Sequence, residues 1–265
     1  MLRAYALLFL AFLYAPILLL PVFAFNDGTV IAFPLGGFTT EWFARLGTKA
    51  ELQSALGNSL IVAACASAGS VILGLMAARA GVRYRFPGRA GMLGLIVLPI
   101  VLPEIIVAVA LLIVAVQVLD IALALWLLIA AHVLICTPFA VAILNASFHA
   151  LDPAIEEAAI DLGETRASTF LRITLPLVMP GIVAAALISF TISLDEFIIA
   201  FFLTGSETTL PVYIWSLLRF PKELPVIMAL GTLLVIASVA ILSLAEWNRR
   251  RGLRRAGAED HGGFL

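Results

Sequence analysis

IALALWLLIAAHVLICTPFAVAIL (Ile121–Leu144), DPAIEEAAIDLGETRASTFLRITLP (Asp152–Pro176) and GIVAAALISFTISLDEFIIAFFL (Gly181–Leu203) follow one another along the chain. The outer two are continuous apolar runs, each longer than the ~20 residues a helix needs to cross a bilayer. The middle one is charged. This order predicts two membrane spans joined by a structured polar hairpin. Four more apolar runs cover Leu2–Phe25, Leu56–Ala78, Met92–Val118 and Val226–Ala245. None alternates every second residue, so a β-barrel is not expected. The fold class is all-α: a polytopic membrane protein with six transmembrane helices, forming a single domain over Met1–Leu265.

Composition agrees. Of 265 residues, 63% are hydrophobic and 12% charged, about half the ~25% charge of a soluble domain. The mean hydropathy is +1.12. That much apolar surface cannot be hidden in one water-facing core, and a disordered chain, a coiled coil or a disulfide scaffold is excluded. The net charge of −1 is uninformative about partners, and nothing points to nucleic acid. Leu2–Phe25 exceeds a signal-peptide apolar region and holds Pro16 and Pro21, so it reads as an uncleaved first span. Pro99 and Pro103 predict a kink or tilt in the third run.

The placement of Lys and Arg orients the spans. Arg3, the arginines from Arg79 to Arg89, Arg166, Arg172 and those from Arg249 to Arg255 fall on one side. Arg45, Lys49, Arg219 and Lys222 fall on the other. Twelve against four puts both termini in the cytoplasm. Glu246-Trp247-Asn248 and the arginines after them read as an interfacial boundary. Cys65 and Cys136 sit in predicted spans as small core residues, and His132 as a helix–helix hydrogen bonder.

The hairpin Asp152–Pro176 reads as two short cytoplasmic helices. Asp152 is a good N-cap and Pro153 a good first residue. Glu156 and Glu157 lie near the positive end of the dipole. Gly163 is placed to end the first helix in the left-handed region, Thr165 to cap the second, and Pro176 to stop it. Ala158, Ala159, Leu162, Phe170, Leu171 and Ile173 leave apolar surface beside Asp152, Asp161 and Glu164. A rigid knob with apolar and acidic faces is expected to dock a cytosolic partner.

Glu157-Ala158-Ala159, then Gly163, then Ile173-x-Leu175-Pro176 resembles the EAA loop of permease subunits of ABC importers served by a solute-binding protein. The resemblance implies the type I ABC importer permease fold. It also implies that Glu156, Glu157, Ala158, Ala159, Asp161, Gly163 and Arg166 couple to an ATPase subunit. Softer similarity to the second permease of the spermidine/putrescine type runs through Phe38-Thr-Thr-Glu-Trp-Phe43, Asn58-Ser-Leu60, Pro103–Leu112, Ser193-Leu-Asp-Glu-Phe197 and Thr209–Trp215. The implied partners are a second permease in a heterodimer, two ATPase subunits carrying ATP and Mg, an extracytoplasmic solute-binding protein, and the lipid of a bacterial inner membrane. No cofactor is expected on this chain. Related permeases move other small solutes, including amino-acid-like compounds, opines and phosphonates.

Glu104, Asp195 and Glu196 lie inside predicted spans, where a charge costs about 2.5–3.5 kcal/mol. Ser189, Ser193 and Glu196 fall on one helical stripe, with Asp195 about 100° away from Glu196. These acids, with Ser193 and Phe197, are expected to line the path of a cation, since no Lys or Arg sits mid-span to neutralise them; one or both of the adjacent pair could instead cap helices or hold a permease dimer together. Val212–Phe220 is expected near the outer interface, toward the solute-binding protein. An ion-coupled secondary transporter would also use such acids, but it leaves the EAA spacing unexplained. An enzyme is not expected. Glu156-Glu157 resembles the start of a membrane-protease Glu-Glu-x3-Arg motif, but Asp161 stands where its Arg should be. No Walker A, Gly-x-Ser-x-Gly or His-Glu-x2-His pattern occurs.

Overall fold

The computed structural model describes residues 2–256. By contacts the described residues group into two compact units: residues 51–213, and the residues up to 50 together with those from 214 on. The boundary expected from Glu246 through Arg255 lies outside the described side chains.

In the terminal unit, α1 (Leu2–Ala24) runs through Pro16 and Pro21 without a break. Only 6% of its apolar window is buried, as suits a helix facing lipid or another subunit. The short amphipathic α2 (Glu41–Thr48) buries Trp42 and Leu46. The Trp42 indole donates to the Asn26 carbonyl at 2.7 Å, and Asn26 Oδ1 accepts from the Gly36 amide at 3.1 Å. These bonds fold the segment between α1 and α2 back on itself.

The central unit starts from α3 (Ala50–Arg83), whose 34 residues extend about 51 Å. Next come α4 (Arg89–Val101) and α5 (Glu104–Ile113), the latter prolonged by a π-turn, Val114–Val118. Then α6 (Leu125–Ala150) leads to the hairpin helices α7 (Pro153–Asp161) and α8 (Arg166–Thr169). A second π-turn, Phe170–Thr174, feeds α9 (Leu175–Asp195), followed by α10 (Ile198–Leu203). The helix α11 (Leu210–Leu217) carries the chain back into the terminal unit, where a 3₁₀ turn, Pro221–Glu223, opens α12 (Leu224–Ala256). α12 packs along α1, with Gly231 against Leu20. The core of the central unit joins Val62 of α3, Val107 and Ala108 of α5, Leu128 and Cys136 of α6, and Ile199 and Leu203 of α10. α6 and α9 approach closely at Gly181, where a Cβ would come within 2.7 Å of Ser147 Cβ.

Among the described residues five helices are long and apolar enough to cross a membrane, and α4 with α5 form a pair bent by 105°. Counting that pair as one span gives the expected six. The bend corrects the single kinked run Met92–Val118. Pro99 lies inside α4 without ending it, whereas Leu102 before Pro103 is extended (φ −80°, ψ 142°). A proline forces its predecessor out of the helical region, which is the cause of the break.

Gly181–Leu203 is likewise not one helix. The span is Arg166–Asp195, and Glu196 is extended (φ −69°, ψ 122°). Pro176 does not stop the second hairpin helix. The Leu175 amide bonds to Phe170 five residues back, and this widened turn takes in the proline so that the helix runs on. Cys136 is buried as expected, but Cys65 is exposed on α3.

Candidate functional site

The hairpin forms as its capping residues dictate. Asp152 accepts from the Ala154 amide at 2.9 Å, with Pro153 opening α7. Gly163 takes φ +94°, where an L side chain is strained. Thr165 accepts from the Ser168 amide at 3.2 Å and starts α8. Glu157, Ala158, Asp161 and Arg166 are exposed, and Leu162 is 87% exposed. Ala159 turns inward, the only buried residue of α7, and Phe170 is half-covered. The apolar face of the knob is therefore Ile155, Ile160, Leu162 and Leu171.

Glu156 also turns inward, away from the acidic outer face. Its Oε1 accepts from the Thr174 hydroxyl at 2.6 Å, and its Oε2 lies 2.9 Å from Arg83 Nε. Arg83 donates to the Leu151 carbonyl at 3.2 Å. One turn earlier, the Arg79 guanidinium stacks 3.9 Å from the centre of the Phe170 ring, a favourable cation–π distance. Arg79, Arg83, Glu156, Glu157 and Arg166 border a cleft of about 370 Å³.

The intramembrane acids meet at a second cleft. Glu104, Thr191, Asp195, Glu196 and Phe197 line a cavity of about 510 Å³. Glu104 opens α5 directly after Pro103, where a carboxylate faces the positive end of the helix. Glu104 and Asp195 are exposed, and neither pairs with a base among the described residues. Glu196 is different, being only 8% exposed. Its two carboxylate oxygens accept from the amides of Ile199 and Ala200 at 2.9 and 3.0 Å, capping α10. Its Oε2 lies 3.7 Å from His132 Nε2. His132 Nδ1 and Ser193 Oγ are 2.7 Å apart, the interhelical hydrogen bond expected of that histidine. Ser189 and Ser193 do share the buried side of α9, but the chain leaves the helix before Glu196, so the stripe stops at Ser193. Phe197 packs beside Phe201, with ring centres 5.5 Å apart.

Arg79, Arg83 and Thr174 escape the reading of the sequence as site residues. The two arginines register only as topogenic charge, and Thr174 as one residue of the Ile173-x-Leu175-Pro176 spacing. Their four-residue separation at the end of α3 was the available signal, since it puts both on one helical face.

Residues 70–251 match the family described as binding-protein-dependent transport system inner membrane component. The putrescine transport system permease protein PotI of Escherichia coli (strain K12) is 38% identical over 251 residues, covering 91% of this chain and 87% of that protein. The spermidine/putrescine transport system permease protein PotC of Haemophilus influenzae is 33% identical over 250 residues, covering 94% and 96%. Among solved structures, a bacterial ABC transporter that imports alginate superposes with a TM-score of 0.71 at 16% identity, covering 91% of this chain and 94% of that one. An alginate ABC transporter in complex with its pentasaccharide-bound periplasmic protein gives 0.69 at 22% identity, covering 94% and 93%. At these identities the structural matches speak to the fold.

Proposed function

This chain belongs to the family of binding-protein-dependent transport system inner membrane components, and from that premise we propose that it forms half of the translocation pathway for a polyamine. As a member it is a multi-pass ABC importer permease of the bacterial inner-membrane type. The polyamine reading takes support from the relatives that carry putrescine and spermidine in their names. The observation that carries it in this chain is the cleft lined by Glu104 and Asp195, which pair with no base among the described residues. Phe197 adds an aromatic face to the same cleft, and an ammonium group suits a carboxylate and a ring together.

The mechanism is alternating access. A solute-binding protein delivers the polyamine at the outer face. Two ATPase subunits, which hold ATP and Mg, close on nucleotide and displace the hairpin helices of this chain and of its permease partner. The packed helices then rock as rigid bodies and expose the cleft to either side in turn. The exposed face of Glu157, Ala158, Asp161, Leu162 and Arg166 is the docking surface for the ATPase. This chain makes and breaks no covalent bond; the residues of the cleft bind and guide.

Uptake of labelled putrescine and spermidine by the complete complex in vesicles tests the reading. Glu104→Gln and Asp195→Asn are each expected to lower uptake roughly tenfold, the loss of one charge contact worth about 1.4 kcal/mol. Parental uptake in both variants would sink the cation-pathway assignment.

A further inference from the structure

Glu156 stands beside the EAA stretch but points the opposite way from its neighbours. α7 has little else to hold it, since Ala159 is its only buried residue among those described. α7 is bounded by the Asp152 turn at one end and by Gly163 at the other, so no helix runs on from it into its neighbours. The Glu156 carboxylate is therefore its main polar anchor. It reaches Arg83 on α3 and Thr174 at the entry to α9. Thr174 is fully buried, and the Arg83 and Glu156 side chains are 14% and 16% exposed. Arg83 in turn holds the Leu151 carbonyl at the end of α6.

We propose that Arg83 is a positioning residue for coupling: through Glu156 and Thr174 it makes α7 one rigid piece with the ends of α3, α6 and α9. A push on α7 then travels into three spans at once. Without the bridge, α7 swings on Gly163 and the displacement is lost in the hairpin. The charged bridge suits the task because its partners are largely withdrawn from water, where one carboxylate gripped from two sides resists rotation. The stacking of Arg79 on Phe170 braces the neighbouring turn in the same sense. This role rests on the permease reading and adds to it the internal linkage behind the docking surface.

The test uses the complete complex in vesicles with Arg83→Gln, Arg83→Lys, Glu156→Gln, and the exchanged pair Arg83→Glu with Glu156→Arg. Arg83→Gln and Glu156→Gln are expected to lower solute moved per ATP roughly tenfold, within the usual range of coupling free energies. In Arg83→Gln basal ATP hydrolysis should stay within about twofold of parental, because Arg83 lies outside the docking face. Arg83→Lys should keep most of the coupling, and the exchanged pair should recover part of what Arg83→Gln and Glu156→Gln lose. Parental transport per ATP in Arg83→Gln overturns the proposal. If the parental complex moves no solute at all, the transport reading fails instead, and hydrogen exchange still decides the linkage. Nucleotide binding should change exchange in 153–161 and 174–178 together in the parental complex, but only in 153–161 in Arg83→Gln. A joint response in that variant also overturns the proposal.

Discussion

Asp195 and Glu196 are adjacent carboxylates in the same apolar surroundings, and the fold gives them unlike duties. Asp195 ends α9 exposed to the cleft. Glu196 is buried, spends both oxygens on the first amides of α10, and faces His132. Capping carboxylates matter because the first amides of a helix have no intrahelical acceptor, and in the apolar core nothing else can satisfy them. Glu196→Ala should therefore destabilise the chain by about 1–2 kcal/mol, the usual cost of a lost cap. Asp195→Asn should stay within about 0.5 kcal/mol, as exposed substitutions do. Thermal unfolding in detergent with both variants checks this, and equal losses would refute the division of roles. The sequence offered a cap as an alternative for either acid but could not show which of the two takes it. Ser193-Leu-Asp-Glu-Phe197 continues the apolar helical pattern without a glycine or proline, and only the carboxylate ahead of Ile-Ile-Ala-Phe-Phe-Leu hinted at a cap.

The hairpin was legible at the level of elements because its determinants are local. Asp152, Pro153, Gly163 and Thr165 each act within four residues of themselves, and all four sit as their chemistry dictates. Pro176 misled because its effect depends on the turn before it, and a π-turn over Phe170–Thr174 has no composition of its own. The inward turn of Glu156 was illegible for a different reason: its partners lie 73 and 18 residues away, at Arg83 and Thr174. Gly163 supplies the element-scale prediction. A Cβ there would meet nothing within 4 Å, so substitution acts through backbone conformation and not through crowding inside the chain. Gly163→Ala should cost about 1 kcal/mol and Gly163→Asn a few tenths, since Asn tolerates the left-handed region. Unfolding midpoints of the three chains give the order directly. A loss for Asn as large as for Ala would contradict the conformational account.

At the scale of the whole chain, two ion pairs decide what the bent helices do. Lys49 pairs with Glu223 in the terminal unit, and Arg83 pairs with Glu156 in the central one. Paired groups lie on the same side of a membrane, so an even number of crossings must separate them. Between Arg83 and Glu156 lie the bent pair α4–α5 and the unbroken span α6. Between Lys49 and Glu223 lie α3, the bent pair, α6 and α9, while α10 and α11, of six and eight residues, are far short of the ~20 needed. The count is even in each case only if α4–α5 crosses once. A re-entrant loop would leave one crossing in the first interval and three in the second, stranding both pairs. The bent pair therefore crosses once, and the arginines from Arg79 to Arg89 fall near Arg83 and Glu156, on the side expected to be cytoplasmic. Cysteine labelling tests this in a chain whose Cys65 and Cys136 are replaced by alanine. Arg85→Cys and Leu119→Cys, both at exposed positions, should react with an impermeant maleimide from opposite faces. Arg85→Cys should label in inverted vesicles and Leu119→Cys in right-side-out vesicles. Labelling of both from one face would make α4–α5 re-entrant and would require the two ion pairs to be absent in the membrane.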